Sequence, residues 1–250
     1  MSRRIYLLVA LLCLPLLAPL VATAQQEEPL FTYVSDWNIP RAQWAEFTAY
    51  GEENLHPVLE RLLADGTIVA WGNFVTEVHL ENGRTHGAWW SARSIAGIER
   101  VLAELRKLPP IAGVAGAKHY DYLLRSPIHR GRATGRTSGY LWVSAVKVRP
   151  GKEREWYELW EKYFKPAHDE WLANGTILMY QVEIEVVHTE NPRWRDIVYV
   201  FPSAEAIDKV DAAYAAVLQK NPALEVALRK VIVQGTHRDF FARLLSYAHK

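Results

Sequence analysis

The 250-residue sequence contains almost no cysteine, and this restricts both its stabilisation and its chemistry. The single cysteine, Cys13, lies in an apolar segment at the N terminus. Removal of that segment would leave a chain without disulfides and without a thiolate nucleophile. We therefore expect a packed hydrophobic core to stabilise the fold, and about 226 residues are enough to form one.

A marked excess of charge of either sign is also missing. The chain has 29 Lys and Arg against 28 Asp and Glu, a formal net charge of +1. Nucleic-acid-binding proteins usually have a clear basic excess, so we expect no nucleic-acid partner. The sequence also lacks zinc-ligand spacing, a phosphate-binding loop, a nucleophile elbow and a dinucleotide fingerprint. We predict no metal site.

Long apolar runs are absent except at the N terminus. Arg3 and Arg4 precede an apolar run at 5–21, and Ala-Thr-Ala at 22–24 fits a signal-peptidase site. Two prolines interrupt the run, and no stop-transfer charges follow it. We therefore predict a secretory signal peptide at 1–24 and a periplasmic or secreted protein without a stable membrane anchor after cleavage.

An internal repeat with an offset of 109 residues is the most informative feature that is present. The sequence ADGTI at 64–68 aligns with ANGTI at 173–177, and VHLEN at 78–82 aligns with VHTEN at 187–191. After a longer loop, HYDY at 119–122 matches HRDF at 237–240. We predict a first repeat at 25–125 and a second at 139–250, joined by a solvated linker at 126–138 that is rich in Gly, Ser, Thr and Arg.

Each repeat has the pattern strand, helix, strand, strand, helix, strand, which is the ferredoxin-like order. The predicted elements of the first repeat are a strand at 30–37, a helix from Arg41 to about 65, a hairpin at 67–80 and 85–92, a helix capped by Ser94 and a strand at 119–124. Those of the second are 140–146, 151–173, 176–188, 194–201 and 203–218, with an extra helix at 222–230. The segment 240–247 is compatible with either a strand or a helix. Because both strand faces are apolar or aromatic, we expect the two sheets to pack face to face.

This element order, repeat length and pseudo-symmetry resemble the dimeric α/β-barrel superfamily in its tandem form, over about residues 30–247. The resemblance implies an α+β fold in which two tandem ferredoxin-like repeats pack sheet to sheet as a pseudo-dimeric α/β barrel. Antibiotic-biosynthesis-monooxygenase-like, NIPSNAP-like and stress-responsive proteins share that fold, as do the haem-binding chlorite dismutases. It further implies a ligand between sheet and helices or in the barrel interior. No family-specific catalytic signature is matched.

A His-x-Asp-x-x-x-Arg motif occurs once in each repeat. On a strand its three residues share one face, which could combine an oriented imidazole with an anion-binding guanidinium. The histidines are candidate general bases, the aspartates would orient them, and the arginines would bind ligand. Alternatively, symmetric polar groups of this kind hold the repeats together. The two sets are His119, Asp121 and Arg125, and His237, Asp239 and Arg243.

A second pair of candidates lies at the end of the long hairpin strand. His79 precedes Glu81, and His188 precedes Glu190, at the i, i+2 spacing that places both side chains on one face. Such a pair could act as a general base or offer two metal ligands, and we select His79 and His188 as ligand-binding residues. In the alternative interpretation each pair caps its hairpin turn.

Aromatic residues are abundant, with ten tryptophans in the chain. Core packing and an aromatic-walled pocket both account for them, and we select Tyr33 and Trp142 on the first strands as ligand contacts. His168, on a helix among aromatic residues, and His237 are the candidate axial ligands if the protein binds haem.

We hypothesise that the chain binds a small apolar or aromatic molecule without a cofactor. An oxygenase or isomerase reaction, with His119 or His237 as the base, is the enzymatic form of this hypothesis. A non-catalytic partner-binding module and a haem protein of chlorite-dismutase-like architecture remain as alternatives. The sequence is compatible with a monomer or a homodimer.

Overall fold

The computed structural model describes residues 29–250 except 82, 112, 113, 115 and 188–192. The first repeat forms β1 (Leu30–Asn38), α1 (Trp44–Tyr50), α2 (His56–Ala64), β2 (Ala70–Thr76), β3 (His86–Ala92), α3 (Ile95–Leu105) and β4 (Lys118–Gly131). The second forms β5 (Thr134–Lys147), α4 (Glu153–Leu159), α5 (Lys165–Asn174), β6 (Met179–Glu185), β7 (Trp194–Phe201), α6 (Ala204–Lys220), α7 (Pro222–Val231) and β8 (Arg238–His249). The predicted order of elements is confirmed, and the ambiguous last segment is a strand.

The eight strands close into one antiparallel barrel in the order β1-β3-β2-β8-β5-β7-β6-β4, with β4 pairing back to β1. Each repeat contributes four adjacent strands, and the two sets meet where β2 pairs with β8 and β4 pairs with β6. The predicted pseudo-dimeric α/β barrel is therefore confirmed. Its two sheets share hydrogen bonds at both junctions, so closure removes the free strand edges that two stacked sheets would leave.

Strand alternation separates an interior layer from two exterior layers. Apolar side chains such as Leu141, Val198 and Leu244 line the barrel interior together with the larger rings of Phe74, Trp89 and Tyr247. The helices of each repeat cover the outer face of its own strands, and tryptophans dominate both of those layers. The outer layer of the first repeat includes Leu59, Trp71, Trp90 and Val101, and that of the second includes Trp156, Trp160, Trp171, Tyr180 and Tyr199.

The long helix of each repeat is interrupted by one π-helical turn, at Gly51–Leu55 and Trp160–Phe164. The two turns lie at equivalent positions, 109 residues apart. A π turn shifts the phase of the residues that follow it and is frequent at functional sites. Each long helix ends before a glycine with a φ of 81°, Gly66 and Gly175, a left-handed conformation that glycine adopts without strain.

The solvated linker predicted at 126–138 is wrong as a description of structure, because β4 extends to Gly131 and β5 begins at Thr134. Two of its polar residues, Ser126 and His129, face the barrel interior and form hydrogen bonds there, whereas Arg132 and Arg136 are exposed. Ser126 lies 3.3 Å from the Thr32 hydroxyl, and His129 Nδ1 lies 2.8 Å from Gln181 Oε1. Part of the polar composition of this segment therefore belongs to a buried polar network, and part of it is exposed to water.

The predicted hairpin strand at 67–80 is shorter in the structure and ends at Thr76. The strand predicted at 176–188 in the second repeat is also shorter, since β6 spans Met179–Glu185. Among the described residues, no helix has the length and hydropathy required to cross a bilayer.

Candidate functional site

A cavity of about 360 Å³ lies in the second repeat between the sheet and its helices, and we call it the aromatic cavity. This volume falls within the range of about 300–1,000 Å³ that is common for small-molecule sites. The rings that line it are Trp142, Trp156, Trp160, Phe164, Tyr199, Phe201 and Tyr214. The predicted ligand contact Trp142 therefore lies in a cavity wall of the expected chemistry.

The aromatic cavity reflects a sequence difference between the repeats. In the first repeat Trp37 stacks on His119, with ring centroids 3.9 Å apart and an interplanar angle of 16°. The equivalent of Trp37 in the second repeat is Val146, which lines the aromatic cavity. Because valine is too small to cover the equivalent imidazole, His237 borders the cavity instead of lying beneath an indole ring.

His237 and Asp239 form the polar rim of the aromatic cavity. His237 Nε2 lies 2.9 Å from Ser144 Oγ and 3.3 Å from Asp239 Oδ1. Asp239 Oδ1 also accepts a hydrogen bond of 3.1 Å from Trp142 Nε1. A carboxylate beside Nε2 favours the proton on that nitrogen, which leaves Nδ1 as the basic one. The rim is therefore a His–Asp pair in which the acid orients the base.

The first repeat contains the same Ser, His and Asp groups, with the Trp37 ring stacked on one face of the imidazole, and the His119 side chain is 37 % exposed against 58 % for His237. His119 Nε2 lies 2.7 Å from Ser35 Oγ and 2.9 Å from Asp121 Oδ1. Tyr33, the equivalent of Trp142, stacks on Trp90 at 5.0 Å and is hydrogen-bonded to Asp121. Burial opposes ionisation of Asp121, but hydrogen bonds from His119 and Tyr33 outweigh it and lower its pKa. Both predicted His–Asp pairs therefore exist, and they differ in what covers them.

The two arginines of the motif do not join these pairs. Arg243 Nε lies 3.1 Å from Glu77 Oε1, in an ion pair between the repeats. Arg125 is exposed on β4, four residues beyond Asp121 and hence about 13 Å farther along the strand. The expected anion site, with imidazole and guanidinium side by side, therefore does not form. The residues do share one face of the strand, but their spacing along the strand keeps the two groups apart.

His79 lies outside the strand on which its pairing with Glu81 was predicted. It is exposed in the loop after β2, where its ring centroid is 5.1 Å from that of Trp44. The i, i+2 argument for a shared strand face therefore does not apply to His79 and Glu81. The partner pair His188 and Glu190 lies outside the described residues.

His168 is buried behind the aromatic cavity and does not line it. Its Nδ1 donates to the Phe164 carbonyl at 2.7 Å, and its Nε2 lies 2.7 Å from both the Tyr199 and Tyr214 hydroxyls, which also bond each other. Burial lowers the pKa of His168 to about 4, which keeps the ring neutral. With both nitrogens occupied, His168 does not fit the role of an axial haem ligand. Of the two histidines considered for that role, His237 alone keeps a ring nitrogen available.

Trp160 carries a buried hydrogen-bond donor on the cavity wall. Its side chain is 2 % exposed, and its Nε1 has no hydrogen-bond partner among the described residues. An unsatisfied buried N–H group costs on the order of 1–3 kcal/mol. Because this nitrogen is closed to solvent, the indole ring must shift before a ligand oxygen in the cavity can accept from it and remove that cost. Sequence reasoning missed this residue, although its alignment with Gly51 marks a position where the repeats differ.

Comparison with solved structures shows that other proteins share this fold. A candidate monooxygenase from Lactobacillus acidophilus superposes with a TM-score of 0.57 and 14% identity, covering 89% of this chain and 97% of its own. A candidate monooxygenase from Fusobacterium nucleatum gives 0.58 and 8%, covering 89% and 94%. An anthrone oxidase-like protein gives 0.50 and 10%, covering 90% and 94%. No family model and no curated protein matches the sequence.

Proposed function

We propose that the chain binds a small aromatic molecule that carries an oxygen acceptor, and oxidises it with molecular oxygen without a cofactor. The observation that carries this proposal is the aromatic cavity, which combines ring-lined walls, an unsatisfied indole N–H and a His–Asp pair at its rim. The oxygen chemistry is supported by the neighbours of the same fold, which include candidate monooxygenases and an anthrone oxidase-like protein.

Burial of the ligand supplies the binding energy. A ligand with two or three fused rings would bury about 200 Å² of apolar surface, worth on the order of 5 kcal/mol before the cost of association. Stacking on Trp142 and Trp156 would add to this. A shift of the Trp160 ring would let its Nε1 donate to the ligand oxygen, which would fix the orientation and satisfy the buried donor.

The His–Asp pair then acts as a general base. Asp239 holds the proton on His237 Nε2, and Nδ1 accepts a proton from an acidic O–H or C–H group of the ligand. Trp160 donates to the oxygen on which the negative charge gathers, in a site with few other polar groups. The electron-rich anion reduces oxygen. For an activated methylene group the overall change is CH₂ + O₂ → C=O + H₂O, so oxygen is both the oxidant and the source of the new carbonyl oxygen.

Anthrone is a suitable probe because it has three fused rings, one carbonyl and one acidic methylene group. We expect anaerobic titration to quench tryptophan fluorescence saturably, and oxygen uptake to follow when air is admitted. H237A should retain anthrone binding and lose at least 100-fold in turnover. H119A, at the equivalent covered position, serves as the matched control. Equal losses in both variants, or turnover unaffected by H237A, would remove His237 from the mechanism.

A haem protein is the second candidate, since His237 keeps one ring nitrogen available at the cavity. The visible spectrum of the purified protein tests it directly, because a Soret band that H237A abolishes would replace the cofactor-free proposal. We further propose export through the predicted signal at 1–24, which mass analysis of the mature N terminus tests.

A further inference from the structure

The barrel interior contains a second cavity, which we call the barrel cavity. Its volume is about 440 Å³, and it lies on the opposite face of the sheet from the aromatic cavity. Of the described residues that line the two cavities, Asp239 alone is shared. A ligand in the barrel cavity is therefore independent of the function proposed for the aromatic cavity.

Carboxylates outnumber cationic groups on the walls of the barrel cavity. Asp36 and Glu183 are 2 % and 4 % exposed, and Arg84 Nη1 lies 2.6 Å from Asp36 Oδ2. The guanidinium of Arg238, the second cation, lies 4.0 Å from the ring centroid of Trp194. Besides Asp239, the acidic residues on these walls are Asp36, Glu183, Glu185 and Asp196.

Glu183 and Asp196 are direct cross-strand partners on β6 and β7, and both face the barrel cavity. Like charges at such a position repel each other. Burial raises the pKa of Glu183 to about 8, with the nearby Asp196 charge adding to the effect, and burial raises the pKa of Asp196 to about 6. A cation between the two carboxylates would replace this repulsion with attraction.

Two buried acceptors on the same walls have no hydrogen-bond partner among the described residues. These are Asp36 Oδ1 and Thr76 Oγ1, in side chains that are 2 % and 3 % exposed. Buried oxygen atoms of this kind are usually satisfied by a donor. Trp89 Nε1, a buried donor on the same wall, also has no partner among the described residues. Two unpaired acceptors against one unpaired donor leave a small excess of acceptors, which suits a ligand that carries N–H donors.

The orientation of Glu183 is fixed by a hydrogen-bonded chain below the cavity. Gln181 Nε2 donates to Glu183 Oε1 at 2.7 Å, and Gln181 Oε1 accepts from His129 Nδ1 at 2.8 Å. His129 Nε2 in turn lies 2.9 Å from His249 Nε2. This chain holds one carboxylate oxygen in place from below, so the acid is positioned before a ligand arrives.

Apolar side chains make up much of the remaining wall, beside polar residues such as Thr32 and Gln181, and they define the body of the ligand. Val34, Leu141, Val143 and Val198 surround the carboxylates together with the ring of Phe240. No three His, Cys, Asp or Glu side chains of the described residues converge as metal ligands. An organic cation with an apolar body fits this combination better than a bare metal ion.

We propose that the barrel cavity binds a small primary ammonium ion with an apolar body, its charged group between Glu183 and Asp196. Binding favours ionisation of Glu183 and releases its proton to solvent. Affinity therefore increases as pH rises from about 6 to 8, while the ammonium group, with a pKa of about 10, keeps its charge.

Calorimetric titration with three amines and their matched alcohols tests the proposal: isobutylamine, cyclohexylamine and 2-phenylethylamine against isobutanol, cyclohexanol and 2-phenylethanol. At pH 8.5 we expect at least one amine to bind ten or more times more tightly than its alcohol. The affinity should fall at least tenfold at pH 6. Equal affinities for amines and alcohols, or the absence of saturable amine binding, would overturn the proposal.

E183Q keeps the shape of the side chain and removes its charge, so we expect it to fold and to bind the amine at least tenfold more weakly at pH 8.5. E225Q, on the exposed helix α7, is the matched control and should bind like the unmodified protein. Unchanged affinity in E183Q would place the cation elsewhere and reject the assignment. If E183Q does not fold, the comparison of amine with alcohol and the pH series on the unmodified protein decide the question.

Discussion

In the first repeat the indole of Trp37 covers His119, and the second repeat has no indole at the equivalent position. V146W tests whether this difference is the reason that the aromatic cavity exists. Val146 lines that cavity, at the position where the first repeat has Trp37 stacked on His119. We expect the introduced indole to stack on His237 in the same way and to occupy cavity volume. An aromatic stack of this kind is worth about 0.5–1.5 kcal/mol.

The two effects of V146W have opposite directions and can be measured separately. The stack should leave the melting temperature unchanged or raise it by about 2–4 °C for each 1 kcal/mol gained in a domain of this size. Anthrone binding should weaken at least tenfold, because the ligand and the indole compete for the same space. Fluorescence titration measures the binding, and differential scanning calorimetry measures the stability.

W37V is the reciprocal variant and the matched control. It uncovers His119 and removes a stacked ring, so we expect it to lower stability by about 2–4 kcal/mol and to leave anthrone binding in the second repeat unchanged. If V146W binds anthrone as the unmodified protein does, while retaining its fold, ligands do not enter the aromatic cavity beside His237 and the proposed site is wrong.

Three further predictions concern stability. The pKa values of buried His86 and His168 are lowered to about 4. Protonation therefore favours the unfolded chain, so the contribution of each neutral imidazole is complete above about pH 6.5 and is lost as pH falls towards 4, on the order of 3 kcal/mol each. Because the raised pKa values of Glu183 and Asp196 act in the opposite direction, H168Q is compared with the unmodified protein by urea unfolding at pH 7 and pH 4.5, and the stability of H168Q should fall less between them. Y214F removes one hydroxyl from the group around His168 and should cost about 1–2 kcal/mol in the same assay. G139A should cost about 1–3 kcal/mol or prevent folding, because a methyl group there would lie 2.1 Å from the Phe201 carbonyl oxygen.

The fold could be predicted because the repeat supplied each element twice. The caps were visible in the same way: Ser94 and Ser203 both accept a hydrogen bond from the backbone three residues later, at 3.1 and 3.3 Å. The strand at 240–247 was ambiguous because a β-bulge near Asn73 and its partners on β8 interrupts the alternation of its apolar residues. Local periodicity cannot anticipate a register shift that a neighbouring strand imposes.

The candidate site was predicted in part, and its omissions have a common cause. The His–Asp pairs share one strand, so local spacing was enough to find them. Trp160 and Val146 come from different elements, and their meeting at one cavity depends on the packing of a helix against a sheet. The carboxylates of the barrel cavity were missed because charged residues such as Glu183 are normally expected to face solvent. Only closure of the barrel places Glu183 in the interior.

In this duplicated chain, the positions at which the two repeats differ indicate function better than the motif that they share. The His–Asp pair is present in both repeats with similar geometry, so the pair by itself does not distinguish a functional copy from a structural one. The difference lies in single positions where the repeats diverge. Val146 replaces a covering indole, and Trp160 replaces Gly51 and brings a donor that no described residue satisfies. If the second repeat alone carries the activity, exchanging these two positions between repeats should affect it more than mutating the shared motif of the first.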